Sequence, residues 1–258
     1  MRIDRDRLLD VFLDLVRIAS PSRQEQEVAS YIRAYLEDLG IAVESDQAGN
    51  LYAYMEGDGT PLAFTAHMDT VVPCEGVTPL VENGVVRSDG TTILGADDKS
   101  GVAAILEAVT ALSEGSVVHR PLDLLFTVQE EIGLFGAKAV EVDRLRARMA
   151  IGLDAEGQQG TLVVSAPGQN SLEAVVHGKA AHAGVEPEKG VSAIRVAAEA
   201  IASMPLGRID EETTANIGVI SGGRATNIVP DRVEIKGEAR SHDEAKLASQ
   251  TEAMVAAL

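Results

Sequence analysis

Apolar residues recur at three- and four-residue intervals through Leu8, Phe12 and Leu15, with Leu9 and Val16 beside them, which predicts an amphipathic helix that Ser20-Pro21 ends. Ser22 followed by Glu25 reads as a capping box for a second helix with Val28, Ile32, Tyr35, Leu36 and Leu39 inward, and Gly40 supplies its stop. Short strand-like runs follow at 41–44, 51–55 and 62–66, the latter two separated by the turn signal Gly57-Asp58-Gly59. Asn83-Gly84 marks a hairpin, and helical spacing returns over 99–112 through Val102, Ile105, Leu106 and Val109. Residues 122–128 form a nearly unbroken apolar run, the pattern of a strand covered on both faces. Residues 137–145 read as weakly helical and 149–153 as another buried strand. This alternation predicts an α/β domain with a mixed, mainly parallel sheet.

Beyond about Leu162 the pattern changes to an alternating strand at 171–176, a helix at 191–204, strands near 216–220 and 229–239, and a helix after Asp243. That β-α-β-β-α order is the order of a ferredoxin-like α+β unit without its closing strand. Residues 1–163 are therefore expected to form one domain and 164–258 a second, incomplete one.

The chain has 258 residues, of which 45% are hydrophobic, enough to bury a real core. With 22 basic and 40 acidic residues its formal charge is -18, which disfavours nucleic acid and anionic membrane surfaces as partners. One cysteine, Cys74, excludes an internal disulfide, and no run approaches the roughly 20 apolar residues needed to span a bilayer. Acids at Asp4 and Asp6 stand where a secretory signal needs apolar residues. The expectation is a cytoplasmic protein that binds neither nucleic acid nor membrane.

Ligands of open α/β sheets gather beyond the carboxyl ends of the strands. Three predicted strands of the first domain lead into candidate donors: 62–66 into His67-Met68-Asp69, 122–128 into Gln129-Glu130-Glu131, and 149–153 into Asp154, while Asp97-Asp98 stands before the 99–112 helix. Gathered on one rim, such carboxylates raise each other's pKa. Lys99 is the only basic residue in these motifs, and one ammonium cannot balance six acids. One or two divalent ions are the economical counter-charge, and mixed imidazole and carboxylate donors suit zinc, with cobalt or manganese as alternatives. Other machinery is absent: Ala96-Asp97 stands where a phosphate loop needs Gly-Lys, Leu62 replaces the third glycine of a dinucleotide fingerprint, and no Gly-x-Ser-x-Gly elbow occurs.

These motifs, in this order, resemble the co-catalytic zinc metallopeptidases that include peptidase T, glutamate carboxypeptidase and aminoacylase. The wording is closest to peptidase T-like proteins. The resemblance lies in Ile18-Ala19-Ser20-Pro21-Ser22 with Glu25, in 65–70 (TAHMDT), 94–101 (LGADDKSG), 129–133 (QEEIG) and 152–154 (GLD), and in 181–184 (AHAG) and 225–231 (ATNIVPD). It implies a phosphorylase/hydrolase-like catalytic domain with a ferredoxin-like lid, which makes a homodimer through the lid plausible. It further implies that His67 and Asp154 hold one metal, Glu131 the other, and Asp97 bridges them, with Asp69 orienting His67. Glu130 becomes the general base for the attacking water. A cis peptide is implied between Asp97 and Asp98. In the lid His182 resembles the histidine that stabilises the oxyanion, Arg240 the arginine that grips a substrate carboxylate, and Asn227 a residue that hydrogen-bonds substrate. His119, His177, His242 and Cys74 read as surface or filler residues.

The family also needs a late histidine ligand, on a segment returning from the lid, and it has no counterpart in these residues. The expectation is a fragment of a longer enzyme, with a partner that supplies the missing part or a homologue that has lost turnover as the alternatives, and with weak or absent peptidase activity from this chain alone, one metal held more tightly than the other. The leading function is hydrolysis of short peptides by a tripeptidase or aminopeptidase-like mechanism. An N-acyl amino acid amidohydrolase and a non-catalytic peptide-binding or dimerisation module are the alternatives.

Overall fold

The computed structural model describes residues 2–115, 117–155, 157–158 and 160–258, which divide into two compact units, Met1–Gln158 and Gln159–Leu258. In the first, α1 (Arg5–Arg17) starts on Asp4, whose side chain accepts from the amides of Asp6 and Arg7. Helix α2 (Gln26–Asp38) buries Val28, Ile32 and Leu36 at helical spacing, and Gly40 beyond its end takes φ +79°. The expected capping box does not form: Glu25 makes no cap bond to α2, and Ser22 donates instead to Asp69. Tertiary acceptors and donors outcompete the local pair.

Five strands make the main sheet: β1 (Val43–Ser45), β2 (Leu51–Met55), β3 (Leu62–His67), and, after the separate hairpin β4 (Pro79–Glu82) and β5 (Val85–Ser88) and helix α3 (Ala96–Glu114), β6 (Leu122–Thr127) and, after the single turn α4 (Phe135–Lys138), β7 (Ala150–Gly152). Their order is β1-β2-β6-β3-β7, parallel from β6 through β7 and antiparallel at β2 and β1. Central β6 is buried along its whole length, and even Asp123 is covered there because it accepts the amides of Arg146 and Ala147. Leu15, Ile32, Leu36, Leu106, Leu124 and Phe126 meet in one core. The expectation that 149–153 is a buried strand is corrected: β7 is the sheet's edge and all three of its residues are exposed. A short apolar run cannot by itself distinguish an edge from a centre. The weakly helical stretch resolves into α4 and a 3-10 turn at Val142–Arg144.

The second unit is an antiparallel sheet with helices: β8 (Gly168–His177), α5 (Ala193–Ser203), β9 (Gly207–Arg208), β10 (Thr213–Gly222), β11 (Arg232–Ser241) and α6 (Glu244–Ala256). The order β8-β11-β10-β9 places the first long strand beside the third, as in a ferredoxin-like unit. Along β8 exposed and half-buried residues alternate, and Ala193, Ala197, Val233 and Ile235 form one of its two small cores. The two-residue strand β9 has no sequence signature. Among the described residues no helix is long and apolar enough to cross a membrane.

Candidate metal centre

His67 and Thr127 are register partners on the parallel neighbours β3 and β6, so the chain leaves both strands at one level and the following loops start side by side. His67 is 3% exposed. Its Nδ1–H donates to the carbonyl oxygen of Asp69 (2.9 Å), which leaves Nε2 facing Asp97 Oδ1 at 3.0 Å and Asp154 Oδ2 at 3.8 Å. Two groups of donor atoms result, His67 with Asp97 and Glu131, and His67 with Glu130 and Asp154, the atoms of each lying within 4.8 Å of one another. All five residues belong to the first unit.

Asp69 is fully buried and works as a hub. Its Oδ1 accepts the amide of Glu130 (2.8 Å), and its Oδ2 accepts the amide of Glu131 (3.2 Å) and the hydroxyl of Ser22 (2.6 Å). Burial favours the neutral acid, but the bonds from His67, Ser22 and the two amides hold this carboxyl below the ordinary range.

The Asp97–Asp98 peptide is cis, and neither residue has helical dihedrals although both lie in the first turn of α3. Asp97 is exposed, whereas Asp98 turns inward and accepts the amides of His67 (3.2 Å, at Oδ2) and Gly101 (3.2 Å, at Oδ1). Burial, with Asp154 nearby, pushes Asp98 up to about 7 against the opposing pull of His67. In the sequence Asp98 stands only as one of six acids on the rim and as the partner of Asp97 in the implied cis peptide, with its inward bonds unforeseen. The available signal was Gly101, where a Cβ would come within 2.3 Å of Asp98 Oδ1.

Lys99 does not neutralise this cluster. It is 1% exposed, its Nζ donates to the carbonyl oxygen of Ile18, and burial brings its ammonium down to about 8. His67 is left as the cation of the site: burial works against its charged form, yet Asp69, Asp98, Asp154 and Asp97 together lift it to about 10. Burial, Asp97 and Glu130 push Asp154 up to about 6, despite the pull of His67, and burial with Asp97 also raises Glu131. One imidazole and four carboxylates with negative charge in excess are the donor chemistry of a divalent-cation site.

His182, Asn227 and Arg240, the residues that the resemblance assigns to a lid, lie in the second unit. His182 and Asn227 come together, because His182 pairs with Ile228 in an antiparallel bridge and the amide of Ala183 donates to Asn227 O (2.9 Å). His182 is exposed and its Nδ1 accepts the amide of Gly184 (3.2 Å). Arg240 is exposed and forked onto Glu238, Nε to Oε1 at 2.9 Å and Nη2 to Oε2 at 3.0 Å.

Residues 164–258 match the family model of the peptidase dimerisation domain, and residues 50–196 that of peptidase family M28, a stretch that includes every donor of the centre. The crystal structure of aminopeptidase PepT from Bacillus cereus superposes with a TM-score of 0.91 at 45% identity, covering 99% of this chain and 71% of that one. A tripeptidase from Staphylococcus aureus gives a TM-score of 0.95 at 43% identity over the same shares. The chain belongs to the M20 metallopeptidase family of peptidase T. The peptidase T of Vibrio parahaemolyticus is 31% identical to this M20 chain over 75% of its residues and 56% of the Vibrio protein. The M20 chain thus spans 71% of the length of the Bacillus cereus and Staphylococcus proteins and just over half that of the Vibrio enzyme.

Proposed function

We propose that the first unit carries a two-metal centre for hydrolysis of peptide bonds in short peptides, of the tripeptidase or aminopeptidase type. The observation that carries this reading is the convergence of His67, Asp97, Glu130, Glu131 and Asp154 around shared donor positions. Its support is the set of relatives, among them an aminopeptidase PepT and a tripeptidase. Zinc is the proposed metal, with cobalt or manganese as alternatives. In this assignment His67 and Asp154 would hold one ion and Glu131 the other, with Asp97 placed to serve both.

Divalent ions held there supply Lewis acidity toward the scissile carbonyl. Asp69 keeps the Nδ1 side of His67 occupied, so that Nε2 would be the ligand atom, giving up its proton when an ion binds. Glu130, beside Glu131 and held by its own amide, takes the proton of the attacking water and returns it to the leaving amine. His182, Asn227 and Arg240 are assigned to the substrate, which for Arg240 means exchanging Glu238 for a peptide carboxylate. Residues 1–163 act as the catalytic domain, and residues 164–258 as the lid through which two copies pair, in a cytoplasmic enzyme.

Turnover of a tripeptide panel beside N-acyl amino acids, with zinc, cobalt or manganese added, tests the reading. Tripeptides are expected to be the better substrates, and Glu130→Gln is expected to lower kcat by about 10² to 10⁴ while metal content stays at the parent level. Preference for the acyl compounds would make the protein an amidohydrolase. Peptide binding without turnover in the parent would make it a binding module.

A further inference from the structure

Four consecutive amides, from Val128 to Glu131, are held by side-chain oxygens of other segments. Val128 N–H donates to Asn50 Oδ1 (3.1 Å), Gln129 N–H to Glu25 Oε1 (3.0 Å), Glu130 N–H to Asp69 Oδ1 (2.8 Å) and Glu131 N–H to Asp69 Oδ2 (3.2 Å). Gln129 takes φ +54°, in the left-handed region that a non-glycine residue adopts only when its surroundings impose it. The chain therefore leaves β6 through a turn that other segments hold at its amides, while its carbonyl oxygens at Val128, Gln129 and Glu130 accept the amides of Gly136, Phe135 and Leu134 from within the loop.

Glu25 is 4% exposed and binds the amides of both Arg23 and Gln129 through Oε1, while Ser22 reaches the other end of the loop through the Asp69 carboxylate at 2.6 Å. The segment that carries them is itself fastened to the β3 loop and to α3. Ser20 Oγ donates to Met68 O (2.9 Å), the amide of Thr70 donates to Ser20 O (2.9 Å), and Lys99 Nζ donates to Ile18 O.

We propose that residues 18–25 form a buckle in which Glu25 and Ser22 are positioning residues for Glu130 and Glu131. Neither belongs to the donor groups of the centre. Glu25 sets the left-handed turn at Gln129, and Ser22 fixes the face of Asp69 on which the next two amides rest. Between them they decide where the general base stands relative to the metal donors, a placement in which an error of about 1 Å costs about 100-fold in rate. The catalytic consequence rests on the two-metal reading above, whereas the positioning itself does not.

Amide hydrogen exchange on the metal-free protein reads the positioning directly, in the parent, Glu25→Ala, Ser22→Ala and Ser22→Thr, with the amide of Leu106 in α3 as the internal reference. Glu25→Ala is expected to speed exchange at Gln129 and Glu130 at least 100-fold, and Ser22→Ala at Glu130 and Glu131 at least tenfold. Ser22→Thr, which keeps the hydroxyl, restores protection, and Leu106 stays at its parent rate throughout. In tripeptide hydrolysis both alanine variants lower kcat tenfold or more with KM within twofold. Unchanged exchange at 129–131, or exchange at Leu106 rising in step with it, overturns the proposal, because the first removes the buckle and the second reduces it to general stability. If Glu25→Ala does not fold, the two Ser22 variants decide by the same criteria. Protection that responds as expected in a parent without peptidase activity supports the buckle and sinks the hydrolytic reading alone.

Discussion

Arg7→Ala isolates the ion pair that fastens α1 to α3, the helix at whose start Asp97 and Asp98 lie. Glu107 has a side chain 1% exposed, and its carboxylate accepts from Arg7 Nε at 2.6 Å, Arg7 Nη2 at 3.0 Å and the amide of Asp4 at 2.7 Å. Removing one partner of a fully buried pair costs about 3–5 kcal/mol, because the other charge stays behind uncompensated. Here the Asp4 amide remains, and the Arg7 side chain is 27% exposed, so water can enter where the guanidinium was. The expected loss is therefore about 2–3 kcal/mol. The second bond of Arg7, to the exposed Glu114, adds little to this. Urea unfolding followed by circular dichroism should show the midpoint falling by roughly 1 M. The double variant Arg7→Ala/Glu107→Leu should recover most of the loss, since it also removes the stranded carboxylate. A single-variant loss under about 0.5 kcal/mol, the scale of an ordinary surface pair, refutes the argument. So does a double variant no more stable than the single.

Asp46 accepts the amides of Ala48, Gly49 and Asn50 together with the Asn50 side chain and the Tyr52 hydroxyl, and although burial acts the other way these bonds hold its carboxyl below the ordinary 3.8. A carboxyl depressed in the folded state stabilises the protein above its unfolded pKa and loses that contribution as pH falls through the folded value. Asp46→Asn should therefore be less stable than the parent at pH 7, with the difference shrinking below about pH 4. A difference that does not depend on pH contradicts the assignment. Zinc, cobalt or manganese added to metal-free protein should raise the thermal midpoint, equivalent to about 2.7 kcal/mol at a hundredfold excess over Kd, and Asp154→Ala should blunt the response. A midpoint indifferent to all three ions counts against the centre.

The parts of this structure visible in the sequence are those specified by local periodicity. Val28, Ile32 and Leu36 mark α2 at helical spacing, and the unbroken apolar run of β6 marks a covered strand. The candidate donors His67, Glu130, Glu131 and Asp154 are legible for a related reason, since polar residues placed just past apolar runs stand at the carboxyl ends of strands, where α/β sheets keep their ligands. What local pattern could not reveal was choice among partners. Ser22 and Glu25 have the spacing of a capping box, but Asp69 and the amide of Gln129 claim them. Left-handed backbone at Gln129 and Leu134 carries no glycine to announce it. Exposure of β7 depends on which strand comes last in the sheet, a property of the whole topology.

The pairing of His67 with Thr127 has an implication for how sequences of this type can change. Side chains on a strand point to opposite faces in turn, so inserting or deleting a single residue within β3 would swing the imidazole to the far side of the sheet while Glu130 and Glu131 stayed where they are. A change of length in the hairpin of β4 and β5 leaves that register untouched, whereas within β3 and β6 the count of residues matters as much as the identity of any candidate donor.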